Sequence, residues 1–172
     1  MHNCKMLSNI ETVLGYNVGG ATNRCLGVLG AGMIDPYGNA NSTKISDKVY
    51  LVGSGGANDI ASTNQESLVV MNAGKHRMLP KVPYITYPGF NVRTVITDVG
   101  MFEKIDGKET LTLTAYLPGQ ASDTEEKCVE KVKSVVGWEL DIAPTLKRLP
   151  LANEEDLTML RLFDPRGYYI GD

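Results

Sequence analysis

Residues 49–61 read VYLVGSGGANDIA, which places an apolar run, a glycine-rich turn and a helix-compatible segment in direct succession. This order predicts a strand over Val49–Val52 that passes through the glycines into a helix beginning near Ala57. The N–H groups at the start of a helix have no partner within it, and glycine lets a ligand approach the backbone closely. The turn therefore predicts either a binding loop for an anion or a polarised oxygen, or a tight connection with nothing bound.

The glycines of this turn match neither of two common phosphate-binding signatures. No Gly-Lys-Ser/Thr follows them, which excludes a P-loop, and Asn58 occupies the place of the third glycine in the dinucleotide-binding fingerprint. The glycines within 27–32 come closer to that fingerprint, but they lead into a type I turn at Asp35–Gly38 instead of a helix. Ser54 lies outside a G-x-S-x-G elbow and has no histidine near it in sequence, so it is predicted to shape the loop rather than act as a nucleophile.

Short apolar runs recur before and after this turn, and with it they make three segments: Cys25–Leu29, Val49–Val52 and Leu68–Met71. Runs this short that are apolar on both faces are typical of buried strands in a parallel sheet, whereas amphipathic helices need longer periodic segments. We therefore expect these segments to form parallel strands separated by glycine-rich and polar connections.

The region from Val92 to Leu117 predicts a β-hairpin. Its two strands, Val92–Met101 and Thr110–Leu117, flank Asp106-Gly107, a dipeptide that tolerates the positive φ angles of a type I′ turn. On the second strand, leucine and alanine alternate with threonine and tyrosine, so one face is expected to be core.

Two helices are predicted in the last third of the sequence. Ser122–Glu125 has the spacing of a capping box, and the apolar positions after it recur at helical spacing until Gly137. Cys128 falls on that apolar face and is expected to be inert core. The second helix is predicted to start at Asn153, with three acidic residues in its first turn, and to end before Asp164-Pro165.

Composition and charge limit the class of protein. The chain has 172 residues, 42% of them hydrophobic and 22% charged, and a formal net charge of −3. These values are typical of one globular domain, which we expect to span residues 1–172. No dense run of Lys and Arg is present, so a nucleic acid is not expected as a partner.

Cysteines, histidines and hydrophobic runs exclude further classes. Three cysteines without a C-x-x-C pair, and two histidines, His2 and His76, far apart in sequence, indicate neither a disulfide framework nor a zinc site. No run approaches about 18 apolar residues, and His2–Lys5 lacks the layout of a signal peptide. We therefore expect a cytoplasmic protein without a membrane segment or a metal site.

Two segments in this order carry a family resemblance. GAGMIDPYGNANST at 30–43 and GSGGANDIA at 53–61 resemble the β subunit of family I CoA-transferases, and in particular the glutaconate CoA-transferase type. The resemblance is strong from Cys25 to Gly89 and weaker to the end. Shorter similarities lie at Lys75–Arg77, Tyr84–Gly89, Val95–Gly100 and Leu140-Asp141.

The resemblance implies a fold and a reaction. The fold is α/β: an open, mostly parallel sheet with flanking helices plus a β-hairpin, as in CoA-transferases and sugar-phosphate isomerases. The chain is expected to pair with a complementary α-type subunit or to form a homo-oligomer. In this family a glutamate attacks an acyl-CoA, and the resulting glutamyl-CoA thioester passes CoA to a second carboxylic acid. The substrates are thus an acyl-CoA and a carboxylic acid, with no tightly bound cofactor.

The resemblance also implies roles for individual residues. The glycine loop is expected to present an oxyanion hole to the thioester carbonyl through the backbone amides of Gly53, Gly55, Gly56 and Ala57. The expected substrate-binding residues are Ser54, Asn58, Asn39, Lys75 and Arg77. Asn39, like Asp35 and Asn41, has the alternative of shaping its own turn. The Lys75–Arg77 run has the alternative of a solvated loop.

The sequence departs from the family pattern at two places. No Glu-x-Gly motif, which holds the family's nucleophile, occurs among the 172 residues, and Met1–Cys4 already resembles the middle of a full subunit. We therefore expect about the first third of the subunit to be absent from this chain. Glu11 and Glu66 are expected to be solvated surface residues. After Gly89, relatives carry a longer glycine-rich segment with an arginine, whereas this chain continues through Phe90–Arg93.

Three functions remain open from the sequence. The chain is a transferase subunit whose glutamate comes from other polypeptide, a subunit of a hydrolase or ring-opening enzyme for CoA thioesters, or a noncatalytic partner that binds acyl-CoA. Trp138 and the Tyr168-Tyr169 pair are expected to be packing or subunit contacts.

Overall fold

The computed structural model describes residues 7–22 and 24–168. The described strands are β1 (Leu26–Gly30), β2 (Met33–Ile34), β3 (Ala40–Asn41), β4 (Lys44–Ser46), β5 (Val49–Tyr50), β6 (Glu66–Val70), β7 (Val92–Ile96), β8 (Gly100–Glu103), β9 (Thr112–Tyr116) and β10 (Asp141–Arg148). The α-helices are α1 (Ala57–Thr63), α2 (Glu125–Val135) and α3 (Glu154–Phe163), and a π-helical segment covers Glu11–Val18. Some sequence predictions concern residues outside the described ones: Met1–Cys4, His2–Lys5 and Tyr169.

The centre of the fold is a mixed sheet with strand order β1-β6-β7-β8-β9-β10. The β1–β6, β6–β7 and β9–β10 pairs are parallel, and β8 is antiparallel to both of its neighbours. Every strand of this sheet except β8 therefore runs in one direction. The expected open, mostly parallel sheet is confirmed.

The expected single strand over Val92–Met101 is wrong. The chain reverses direction after β7 and returns as β8, because Thr97 forms a turn in which its hydroxyl donates to the carbonyl oxygen of Gly100 at 2.9 Å. Gly100 fits there because a Cβ would lie 2.5 Å from the carbonyl oxygen of Ala115. The predicted turn at Asp106-Gly107 is confirmed, since both residues have the positive φ of a type I′ turn, 55° and 72°.

Strand β9 is buried on both faces, which the alternation of its residues did not indicate. Thr112, Thr114 and Tyr116 are buried as well as Leu113 and Ala115. The reason is its position inside the sheet, where β8 and β10 flank it and α2 packs on it. The buried Thr114 hydroxyl donates a hydrogen bond to the Glu103 carboxylate on the neighbouring strand.

The expectation of a buried parallel strand at Val49–Val52 is also wrong. Val49 and Tyr50 form β5, which pairs antiparallel with β4 in a separate two-stranded ribbon. All four residues are exposed, Tyr50 to 69% and Val52 to 62%. Apolar character alone does not distinguish a core strand from an apolar surface ribbon, and here the ribbon lies on the surface.

The predicted helix at Ala57 is present as α1, and both helices predicted in the last third of the sequence are present, one of them with a shifted cap. Helix α2 is capped by Thr124, whose hydroxyl accepts the Lys127 N–H, and not by Ser122 as the capping-box spacing indicated. Cys128 is buried as expected. Helix α3 begins after Asn153, which forms a capping box with Asp156, and the helix ends before Asp164 as predicted.

A covering layer closes one face of the sheet. The chain leaves β1, crosses this face through β2, turns at Asp35–Gly38 and returns through β3. Ile34 and Val136 each form a bridge with Met78, and the three pack over the sheet. The buried Tyr87 side chain anchors this layer, because its hydroxyl donates to the Gly30 carbonyl oxygen at 3.0 Å. Trp138 packs against this core, as expected.

Candidate functional site

The glycine loop, residues 53–57, lies near the carboxyl end of β1. A Cβ at Gly32, two residues after β1, would lie 3.7 Å from Leu51 Cδ1, just before the loop. Helix α1 then packs back along β1, where a Cβ on Gly27 would lie 2.4 Å from Asn64 Nδ2 and 2.8 Å from Ile60 Cγ2. Glycine at position 27 therefore lets α1 lie close to the strand, and this contact fixes the direction in which the loop enters the helix.

Three of the four expected oxyanion amides are available in this loop. The Ala57 N–H donates to the Ser54 carbonyl oxygen at 3.1 Å and is occupied. Within the described part of the chain, no hydrogen bond engages the N–H groups of Gly53, Gly55 or Gly56. Gly55 has a φ of +53°, and nothing lies within 4 Å of a Cβ built on Gly53 or Gly55. Gly53 and Gly55 therefore lie on an open surface, whereas a Cβ at the partly buried Gly56 would lie 3.1 Å from Leu14 Cδ1.

Ser54 in the glycine loop and Asn58 in the first turn of α1 are both exposed. The Ser54 hydroxyl lies 3.5 Å from the Gly55 carbonyl oxygen, and Asn58 Oδ1 accepts from the Ser62 hydroxyl at 3.1 Å. Neither contact buries the polar group, so both side chains remain accessible from the loop. Their assignment as substrate-binding residues stays a prediction.

The asparagines of the 35–41 segment are committed to their own turns. Asp35 accepts from the backbone of Tyr37 and Asn39 and from the Asn39 amide, at 3.0 to 3.1 Å. Asn41 is fully buried and accepts from the Thr43 and Lys44 N–H groups. Asn39 shapes the turn and also accepts the Gly89 N–H at 3.0 Å. The structure thus gives these side chains the turn-shaping role that was the alternative from the sequence.

Lys75 and Arg77 are exposed in a turn that follows β6. Two residues before Lys75, Ala73 lies at the carboxyl edge of the sheet, because its N–H donates to the carboxylate of Asp98, two residues after β7. This is the edge at which the glycine loop lies. Glu11 and Glu66 are exposed, as predicted.

A cavity of about 450 Å³ lies at the opposite edge of the sheet, and the motifs of the sequence did not indicate it. It is lined by Tyr37, Asn39, Phe90, Arg93, Lys104, Gly107, Lys108 and Glu109. Lys104 is half-buried; burial lowers its pKa, and the neighbouring charge of Arg93 lowers the pKa further. These residues come from segments far apart in sequence. Among the sequence predictions, only the turn at Asp106-Gly107 falls in the cavity wall.

The described residues contain no group of three or more His, Cys, Asp or Glu side chains arranged to hold a metal ion. Across residues 7–22 and 24–168, no helix has both the length and the apolar character needed to cross a membrane.

Comparison with known proteins gives consistent similarities. Residues 6–124 match the profile of the coenzyme A transferase family. Over 145 residues the chain is 31% identical to a subunit of glutaconate CoA-transferase from Acidaminococcus fermentans, and the match covers 73% of this chain and 52% of that protein. It is 29% identical over 160 residues to a subunit of 3-oxoadipate CoA-transferase from Pseudomonas knackmussii, covering 82% of this chain and 59% of that protein.

The fold has a solved counterpart. The crystal structure of glutaconate coenzyme A-transferase from Acidaminococcus fermentans superimposes with a TM-score of 0.81 and 26% identity, covering 98% of this chain and 71% of that chain. The chain spans between half and three-fifths of the length of the two curated relatives.

Proposed function

Because this chain belongs to the coenzyme A transferase family, we propose that it acts as the β-type part of an enzyme that moves CoA from an acyl-CoA to a carboxylic acid. The observation that carries this proposal is the glycine loop, in which the main-chain N–H groups of Gly53, Gly55 and Gly56 have no acceptor among the described residues. Both curated relatives are named as the corresponding subunit of a CoA-transferase, which supports the same division of labour.

The loop would act on the thioester carbonyl. When a carboxylate attacks this carbon, the C=O double bond opens and its oxygen becomes negative. Fixed N–H donors stabilise that charge more than they stabilise the neutral carbonyl, and losing one such donor typically costs about 3 to 4 kcal/mol of barrier. The positive φ of Gly55 keeps this backbone geometry available without a side chain in front of it.

The attacking carboxylate is proposed to come from other polypeptide. The 172-residue sequence contains no Glu-x-Gly motif. Glu11 and Glu66 are exposed at the starts of the π-helical segment and of β6. Attack on the carbonyl would give an acyl-glutamyl anhydride and release CoA as a thiolate. That thiolate would attack the glutamyl carbonyl of the anhydride and release the acyl group as its carboxylate.

The surface next to the loop supports a partner subunit. Val49, Tyr50, Leu51 and Val52 are apolar and exposed directly before Gly53. Contiguous exposed apolar surface often marks a site of contact with another protein. We propose that a complementary α-type subunit or a second copy covers this ribbon and brings the nucleophile to the loop. Lys75 and Arg77, on the same edge, would then attract the phosphates of CoA.

The absent Glu-x-Gly motif also favours two other candidates. One is a hydrolase or ring-opening enzyme for CoA thioesters, and the other is a noncatalytic partner that binds acyl-CoA. The loop chemistry is the same in the hydrolase, but no covalent glutamyl-CoA thioester would form. The decisive experiment is borohydride reduction of the purified complex that contains this chain, after incubation with acyl-CoA substrates. A transferase gives a glutamyl residue reduced to an alcohol, which peptide mass spectrometry locates. Acyl-CoA turnover without this product supports the hydrolase. If the complex shows neither the reduced product nor turnover, the result supports the noncatalytic partner.

A further inference from the structure

The cavity at the amino-terminal edge of the parallel strands has no role in the proposed transfer. Its walls come from the 35–39 turn, from Phe90 and Arg93 around the start of β7, and from the β8–β9 hairpin. The glycine loop lies at the carboxyl edge of the sheet. The volume of about 450 Å³ falls within the range of small-molecule sites.

Gly89 fixes two walls of this cavity. Its N–H donates to Asn39 Oδ1 at 3.0 Å, and its carbonyl oxygen accepts from the ammonium group of Lys104 at 2.7 Å. A Cβ at this position would lie 2.2 Å from the Tyr37 carbonyl oxygen, so the two backbones are in direct contact. The walls are therefore held in place before any ligand binds.

Two cations line the same cavity. Arg93 lies in β7 and Lys104 directly follows β8, and the backbone N–H of Lys104 donates to the Arg93 carbonyl oxygen at 3.0 Å. Like charges in opposed positions of a sheet repel each other. Lys104 is also half-buried, and its pKa is lowered first by burial and then by Arg93. A bound anion would offset both the repulsion and the loss of solvation.

The carboxylates around the cavity leave Arg93 without an ion-pair partner among the described residues. The Asp35 carboxylate accepts from the backbone and side chain of its own turn. Lys108 forms an ion pair with Asp141 at 2.8 Å, which leaves Glu109 as the carboxylate among the lining residues. The charges of Glu109 and Asp35 both act on Lys104 and raise its pKa. Arg93, in contrast, takes part in none of the ion pairs found among the described residues.

Aromatic rings supply the other half of the recognition chemistry. Tyr37 and Phe90 line the cavity and are 52% and 61% exposed, so part of each ring is accessible to a ligand. Planar heterocycles stack on such faces, and a base stacked on an aromatic side chain binds without sequence-specific hydrogen bonds.

We propose that this cavity binds a nucleoside monophosphate, with its phosphate against Arg93 and Lys104 and its base stacked on Tyr37 or Phe90. A free nucleotide and the nucleotide end of coenzyme A both carry this chemistry. The proposal does not depend on the transferase activity, because it uses neither the glycine loop nor a partner subunit.

Isothermal titration of the full chain with AMP tests this site. Arg93→Gln should weaken AMP binding about tenfold, because it removes one charge-assisted hydrogen bond. The side chain is exposed, so the variant is expected to keep its melting temperature. Lys131→Gln removes the same charge from an exposed position on α2 and should leave AMP binding unchanged.

A second variant distinguishes binding of the base from binding of the phosphate. Phe90→Ala should weaken AMP binding about tenfold and leave the binding of inorganic phosphate unchanged, because only the base contacts the ring. Displacement of AMP by CoA supports binding of the nucleotide end of CoA, and its failure to displace AMP supports a free nucleotide. The proposal is overturned if AMP does not bind at millimolar concentration, or if both variants bind it as tightly as the unaltered chain.

Discussion

The hydroxyl of Tyr87 donates a 3.0 Å hydrogen bond to the carbonyl oxygen of Gly30, across a sequence separation of 57 residues. This contact ties the covering layer to the end of β1, and the Tyr87 side chain is fully buried. Gly30 itself is exposed, so the bond matters chiefly because it gives the buried phenol an acceptor, and it thereby contributes to the stability of the sheet edge that leads to the candidate site.

Replacing Tyr87 with phenylalanine should lower the free energy of unfolding by about 1 kcal/mol, because the hydrogen bond to the Gly30 carbonyl oxygen is lost while the ring still fills the core. Urea denaturation followed by circular dichroism measures this change. Tyr84→Phe removes a hydroxyl from an exposed ring and serves as the matched control. Equal stability of the two variants would contradict the role assigned to the hydrogen bond.

Tyr87 also predicts a dependence of stability on alkaline pH. Burial raises the pKa of its hydroxyl well above the ordinary value of 10.0. The folded state therefore favours the neutral phenol, and this contribution is complete below about pH 10 and is lost as the pH rises above it. Denaturation midpoints measured between about pH 8 and pH 11 should fall more steeply for the unaltered chain than for Tyr87→Phe. Parallel curves would argue against a buried, neutral Tyr87.

Gly89→Ala should destabilise the fold by about 3 kcal/mol or more, because the added Cβ would lie 2.2 Å from the Tyr37 carbonyl oxygen and 2.3 Å from the Gly38 carbonyl carbon. Backbone atoms on two sides cannot move apart without breaking the 35–39 turn. Gly74→Ala, whose Cβ would meet Arg77 at an ordinary 3.9 Å, should change stability little. Thermal melts of both variants test this difference, and a Gly89→Ala protein as stable as Gly74→Ala would refute the close approach.

Local signals in the sequence predicted the features that depend on neighbouring residues. Asp106-Gly107 forms the expected type I′ turn because both residues accept a positive φ. Helix α3 likewise begins after Asn153 as predicted, and its cap forms from residues three positions apart. Thr97, in contrast, lies within a β-branched run that looks like one continuous strand. Its turn depends on a hydroxyl-to-carbonyl bond that the pattern of apolar residues does not encode.

Features that depend on distant residues were not predictable in the same way. The exposure of Val49–Val52 depends on which segments cover it, and apolar character is the same for core and interface. The candidate loop was found because its glycines are contiguous. The cavity with Arg93 and Lys104 was missed because those cations meet only through the pairing of β7 with β8.

A valine at position 55 should abolish the proposed loop chemistry and spare the fold. Gly55 has a φ of +53°, which a β-branched residue adopts only with strain, yet a Cβ there would meet nothing within 4 Å. We expect the loop to rearrange and CoA transfer by the complete complex to fall about 100-fold or more, in line with the loss of an oxyanion donor. Ser134→Val places a valine at an exposed position of α2 and serves as the control. Full activity of a folded Gly55→Val complex would exclude the loop from the mechanism.

Acid unfolding should depend on Asp123, which lies before α2. Its carboxylate accepts from the Lys127 ammonium at 2.6 Å and from the N–H groups of Gly119 and Gln120, and these bonds, with Lys127 first, lower its pKa below the ordinary 3.8. A carboxylate with a lowered pKa stabilises the folded state above its unfolded pKa, and that contribution is lost as the pH falls through the folded value. Asp123→Asn should therefore be less stable than the unaltered chain at about pH 7, and the two should have similar stability at about pH 2.

Glu130→Gln is the matched control. It removes an exposed carboxylate of α2 that takes part in none of the described ion pairs, and it should leave the pH dependence of stability nearly unchanged. A constant difference between Asp123→Asn and the unaltered chain at both pH values would show that the side chain acts through its shape and not through its charge.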